Sequence, residues 1–267
     1  MTVLVSVWGA APGVGKSTVC AGLARSLAGA GLRVDHFHEE EILTRPQFAA
    51  VAEEFRATGA VGLNTLITAT ARFVESVQAR GDDVVIADAL VPFMPTLLAM
   101  GHGEQTIDTF TADLTKVLSP LRPVIVFLDG DPAIALSRAA LREGTGWLDQ
   151  YVTKLTAYGV IPRVTDLASA VTYLRRERAM TLDVAGRPGW GLVMVERADE
   201  LPRDEVLGVA ARGLGAWLDG GDGRGCRVPA SGRNVSRRPD ASGGLRSAAA
   251  PNGNTSRSNG RKNCPRD

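Results

Sequence analysis

Residues 3–18 read V-L-V-S-V-W-G-A-A-P-G-V-G-K-S-T. An apolar, β-branched run stops at Trp8 and gives way to a glycine-rich turn that ends in Lys-Ser-Thr. Strand, glycine turn and a helix opening on lysine are the order that a phosphate-cradling loop requires. Gly13 and Gly15 can take conformations closed to side chains, so successive backbone N–H groups can wrap an anion. A helix starting at Gly15–Lys16 adds its positive end. Lys16 would then reach the β- and γ-phosphates, and the Ser17 hydroxyl would ligate Mg²⁺. The spacing departs from G-x-x-x-x-G-K-[ST] at one place: Ala10 stands where the first glycine belongs, with Gly9 one residue early. A methyl group is tolerable there if the chain leaves the strand with a negative φ. The nucleotide-binding set expected from this loop is Ala11, Pro12, Gly13, Val14, Gly15, Lys16, Ser17 and Thr18.

Working outward, apolar runs alternate with helical patterns as far as residue 218. Strands are expected at 2–8, 33–38, 83–88, 123–129 and 191–196. Several are near-continuous and β-branched, as parallel strands buried on both faces are. Helices are expected at 16–30, 46–57, 61–80, 104–118, 131–143, 147–158, 164–184 and 202–218. Gly31 makes a natural stop for the first. Pro46 suits the first turn of the second, which sets Phe48, Val51 and Phe55 on one stripe. The alternation implies an α/β, three-layer fold: a parallel five-stranded sheet flanked by helices, with ligands at the carboxyl ends of the strands.

Composition limits the function classes. The chain has 267 residues and a net charge of +1, which hides an asymmetry. Residues 1–219 carry 20 Lys+Arg against 26 Asp+Glu, and residues 220–267 carry 10 against 3. By length the chain could hold one large domain or two small ones, and the alternating pattern makes residues 1–219 one domain. The second segment is rich in Gly, Ser, Asn, Pro and Arg, lacks aromatic residues, and is expected to be a disordered basic tail. With no aromatics for base stacking, the tail argues against nucleic acid as a partner. Cys20, Cys226 and Cys264 show no metal-ligand or disulfide spacing, so a reducing cytoplasm is expected. No basic leader or membrane-length apolar run is seen, and a membrane partner is not expected. The abundance of Ala, Gly and Arg suits a GC-rich genome.

At several places together the chain resembles the thymidylate kinase-like and deoxynucleoside kinase-like group of P-loop kinases. The residues that carry the resemblance are A-A-P-G-V-G-K-S-T at 10–18, the carboxylate cluster after strand 2, D-V-V-I-A-D at 83–88, and F-L-D-G-D-P-A-I-A-L-S-R-A-A-L-R-E-G at 127–144. The resemblance spans about residues 3–200 and implies a kinase fold with ATP, Mg²⁺ and a small phosphate acceptor. It places Arg138 and Arg142 near the phosphates, with G-T-G-W at 144–147 as a short lid. Their i, i+4 spacing puts both on one helix face, where the alternative is a solvated face paired with Glu143 or Asp131. In H-F-H-E-E-E-I-L-T-R-P at 36–46, the resemblance makes Glu39 or Glu40 the acceptor-side base or orienter and Arg45 an anion ligand. The other reading makes Glu39–Glu41 surface charges that cap the next helix. His38 belongs either to the same site or to the packing around it. Asp88 ends strand 3 at a Walker B position, as a metal or substrate ligand or as a cap on the next turn. Ala89 follows it where the family often has arginine, which argues against thymidylate as the acceptor. Arg175, Arg176 and Arg178 read as a solvated helix face, and V-E-R-A-D-E-L-P at 195–202 lies where related kinases pass the adenine.

The competing class is a nucleotide-driven switch or partitioning ATPase. Its loop would carry a lysine where Ala11 stands, and a GTPase would need N-K-x-D, which does not occur. The expected activity is therefore transfer of the γ-phosphate of ATP to a nucleoside, a nucleotide or an antibiotic-like metabolite. A homodimer is compatible with everything in the sequence. The acceptor pocket is expected from residues 38–48, 88–100 and 138–150.

Overall fold

A computed structural model describes residues 1–88, 94–144, 146–158, 160 and 162–218, with backbone alone at 94–96. All of them belong to one compact unit, Met1–Ala230. The basic tail expected at 220–267, Ala89, and Thr145 of the expected lid lie outside the described residues.

Five strands form one sheet: β1 (Val3–Gly9), β2 (Val34–Phe37), β3 (Val84–Ala87), β4 (Arg122–Leu128) and β5 (Gly191–Val195). Their spatial order is β2-β3-β1-β4-β5 and every pairing is parallel. Each strand expected from the sequence occurs, within two residues at either end. Burial follows position in the sheet. β1, in the centre, is buried at all seven residues, whereas edge strand β5 alternates buried and half-buried residues. That contrast is why β1 reads as a continuous apolar run.

The helices are α1 (Lys16–Gly29), α2 (Ala49–Thr58), α3 (Leu63–Arg80), α4 (Met94–Ala99), α5 (Glu104–Leu118), α6 (Pro132–Glu143), α7 (Trp147–Ala157), α8 (Leu167–Ala185) and α9 (Arg203–Leu218). α1 and α9 pack together against the sheet. The remaining crossovers run in the opposite direction across the sheet, so right-handed connection puts α3, α5 and α8 on the other face. The result is an α/β fold with an all-parallel sheet flanked by helices. Among the described residues no helix is long and apolar enough to cross a membrane.

Two elements have no periodic signal in the sequence: α4 and the 3-10 helix Glu39–Leu43. Phe37 and Phe48, which flank the 3-10 helix in sequence, form a cluster with Phe73, with ring centroids 5.3 to 5.8 Å apart. Phe48 and Val51 are buried as the stripe predicts, but Phe55 is 48% exposed. α2 starts three residues later than expected, after a separate 3-10 turn at Pro46–Phe48. Phe55 keeps the helix face of Val51 one turn on, where that face borders an open cavity and no longer the core.

Because every strand runs the same way, Gly9, Phe37, Ala87, Leu128 and Val195 all end at one edge of the sheet. The loops leaving that edge build the site.

Candidate functional site

The loop after β1 is held in shape by three glycines. Ala10 still donates to the Leu128 carbonyl at 3.1 Å and does not have a positive φ, so its methyl group is accommodated. Gly9 is needed for a different reason: a Cβ there would lie 2.2 Å from Val14 Cγ1, where the loop folds back over the strand end. Gly13 (φ +87°) packs against α6, and a Cβ there would meet the Ala135 carbonyl oxygen at 2.5 Å. Gly15 (φ +105°) starts α1 without a side-chain cap, which leaves the first-turn N–H groups open to an anion. Lys16 reaches back across the loop, its Nζ 3.5 Å from the Ala11 carbonyl oxygen.

Beside this loop lies a cavity of about 580 Å³. Trp8, Gly9, Ala11, Pro12 and Lys16 line its loop end, next to Asp88 at the tip of β3. Asp88 is buried, and its backbone N–H still pairs with the Phe37 carbonyl at 3.2 Å. Behind it sits the Cys20 thiol, whose pKa is pushed up by burial and by the Asp88 carboxylate. His38, Glu39, Ile42 and Leu43 form one rim, with Phe55 and Val61 beyond. Tyr151, Lys154, Leu155 and Tyr158 of the α7 region face them, and Tyr173, Leu174 and Glu177 of α8 close the interior.

The cavity brings together Ala11, Pro12, Lys16, His38, Glu39 and Asp88 from the expected set. Gly13, Val14, Gly15, Ser17 and Thr18 shape the loop without lining it. Glu39 and Glu40, indistinguishable in sequence, part here: Glu39 faces the cavity, while Glu40 is exposed outside it. Glu41 serves the fold, since its carboxylate accepts from the His38 N–H at 3.1 Å and from Arg45 at 2.8 Å. The His36 and His38 rings lie 3.9 Å apart. Burial, followed by the neighbouring His38, holds His36 below its ordinary pKa.

Arg45 does not reach the cavity. Its guanidinium donates to both Asp35 oxygens at 2.6 and 2.7 Å, and lies 4.2 Å above the centre of the Phe37 ring. Its side chain is 17% exposed and its charge is already met by Asp35 and Glu41. An anion-ligand role is replaced by a structural clamp. Arg138 and Arg142 occupy exposed positions on α6 outside the cavity, and Arg142 pairs with Glu143 at 2.7 Å. Asp131 caps α6 by accepting from the Ala133 N–H at 2.9 Å. The cavity takes its last wall from residues 151–177, and none of the described residues of 138–150 lines it.

The arginines of α8 do not form a free solvated face. Arg178 grips Asp129 at 2.6 and 2.7 Å, Arg176 meets Glu104 at 2.9 Å, and Arg175 stays 4.0 Å from Asp131. The segment after β5 is tied to the same loop, with the Ala198 N–H donating to the Asp129 carbonyl at 2.6 Å and buried Asp199 accepting from the Asp131 N–H at 3.2 Å.

Glu177 is the residue that sequence reasoning missed. It sits among three arginines in R-R-E-R, yet it shares a helix face with buried Ala170, Tyr173, Leu174, Thr181 and Val184. A glutamate in register with an apolar stripe was the legible signal. Burial raises its pKa to about 7, with Lys16 opposing. Burial and the neighbouring Glu177 also push up the phenols of Tyr151 and Tyr173.

No protein-family model matches the chain, and no curated protein is similar to it.

Proposed function

We propose that the protein is an ATP-dependent phosphotransferase that moves the γ-phosphate to a small-molecule acceptor. One observation carries the reading: the glycine loop with Lys16 opens directly onto a roomy, largely apolar cavity whose far wall is built by other elements. A switch needs a phosphate cradle but no such room beside it. A kinase needs both, because phosphoryl transfer depends on holding donor and acceptor in line.

In this reading the N–H groups of the loop and of the first turn of α1 bind the β- and γ-phosphates, and Lys16 offsets their charge. Ser17 and Asp88 would hold Mg²⁺, which supplies charge neutralisation at the phosphates. Among the described residues no cluster of three His, Cys, Asp or Glu side chains could hold a metal alone. The ion would thus take most of its ligands from phosphate and water, as Mg²⁺ commonly does. Glu39 and His38 would meet the acceptor at the rim. Arg138, exposed on the helix against which the loop packs, is the cation available to the phosphates from outside the cavity.

The direct test incubates the protein with γ-labelled ATP·Mg²⁺ and an acceptor panel. Label is expected on a small molecule, and Lys16→Ala should reduce transfer by about 100-fold or more with the melting temperature unchanged. Hydrolysis independent of any acceptor, stimulated instead by DNA or a protein partner, would sink the reading in favour of a switch ATPase.

A further inference from the structure

The walls of the cavity are mostly hydrocarbon and aromatic rings, yet its interior end carries two polar side chains that the fold does not satisfy. Glu177 is 8% exposed, and no hydrogen bond or ion pair reaches its carboxylate from any described residue. Tyr173, one helical turn earlier on the same face of α8, is 2% exposed, and its hydroxyl is buried with no partner. A buried polar group left unpaired costs about 1–3 kcal/mol, so folded chains seldom keep two side by side without a use for them. Lys16 lies close enough across the cavity for its charge to favour ionised Glu177.

The cations of the cavity are equally informative. Among the described residues no arginine lines it, since Arg45 is held by Asp35 and Glu41, and Arg138 and Arg142 lie outside. Lys16 belongs to the loop, and Lys154 lies 5.7 Å from the centre of the Tyr158 ring. None of the described lining residues offers the bidentate grip that a phosphorylated acceptor calls for. A volume of about 580 Å³ falls in the range that encloses a drug-sized ligand.

Resting on the phosphotransferase reading, we propose that the acceptor is an uncharged, largely apolar alcohol or phenol, held by the Glu177 carboxylate and the Tyr173 hydroxyl. Glu177 takes the proton of the acceptor hydroxyl as its oxygen bonds to the γ-phosphorus. The bond from that phosphorus to the β,γ-bridging oxygen breaks, and ADP leaves with the electron pair. Glu39, at the exposed rim, contacts the acceptor without taking the proton.

The test offers the full chain γ-labelled ATP·Mg²⁺ with 1-naphthylmethanol, 2-phenylethanol or nucleoside 5′-monophosphates. Label is expected on the aromatic alcohols and none on the monophosphates. Glu177→Gln should lower kcat about 100-fold or more while ATP affinity, by calorimetry, moves less than about threefold. Glu177→Asp should recover part of that loss, and Tyr173→Phe should act mainly on KM for the alcohol. Label on the monophosphates and not on the alcohols would overturn this inference and leave the phosphotransferase reading standing. Acceptor-independent hydrolysis with neither class labelled would overturn both. An unchanged kcat in Glu177→Gln would remove Glu177 from the transfer step.

Discussion

Glu177 imposes a stability cost that depends on pH. Its carboxyl has a pKa near 7 in the folded chain, against an ordinary 4.5, because burial disfavours the charged form. A raised carboxyl pKa means that the folded state prefers the proton. The stability associated with it is intact below pH 4.5 and is lost as pH rises through 7. The groups facing it, Lys16, Tyr151 and Tyr173, leave that sign unchanged. Glu177→Gln removes the ionisation. In urea titrations the variant should gain on the parent between pH 5 and pH 8, by up to about 3 kcal/mol. A difference between variant and parent that stays the same at pH 5 and pH 8 would show that the folded chain does not raise this carboxyl. Within R-R-E-R, only the register with the apolar stripe of α8 marks which of the four side chains turns inward. The neighbouring arginines each find a carboxylate on another element, Asp129, Glu104 or Asp131, while the buried stripe from Ala170 to Ala185 sets the rotation of α8.

At the scale of elements, the strands and most of the helices were legible because their periodicity is set by burial. β1 and β4 are near-continuous apolar runs buried between two helical layers, and no other reading fits them. The segment 38–48 was legible only as a set of charges. Its shape comes from contacts made at a distance in sequence: Arg45 with Asp35, and Phe48 with Phe37 and Phe73. A residue read as a ligand for an anion is instead the pin that holds the rim of the cavity. Arg45→Ala should leave Asp35 and Glu41 without their main partner and destabilise the fold by about 2–4 kcal/mol. Hydrogen exchange should quicken first in residues 39–48, while nucleotide affinity changes little. A loss of nucleotide binding at full stability would return Arg45 to the role of ligand. The pocket's third wall was misplaced for a related reason. Residues 138–150 carry the family-like arginines, but α7 and α8 supply the surface that faces the loop.

Across the whole molecule, α9 is the last of the described elements and packs against α1 and the sheet. Val206, Val209, Ala210, Leu214 and Trp217 are buried, and the Trp217 carbonyl accepts from Arg122 Nη1 at 2.7 Å. All of these contacts lie among the described residues, which end at 218. Ending the chain after Asp219 should therefore shift the melting temperature by less than about 2 °C and leave the transfer rate unchanged. A larger loss would assign the basic tail a part in the fold or the reaction. The indole of Trp8 spans the two halves of the proposed site, since it lies at the end of β1, donates to Ser6 Oγ at 3.0 Å and borders the cavity beside Lys16. It is thus a natural optical reporter, built into the wall between donor and acceptor. Emission from Trp8 should change when ATP·Mg²⁺ enters and change again, separately, when an aromatic alcohol follows. Trp8→Phe should silence most of both signals, leaving the background from Trp147, Trp190 and Trp217, so the order of binding becomes readable before any product forms.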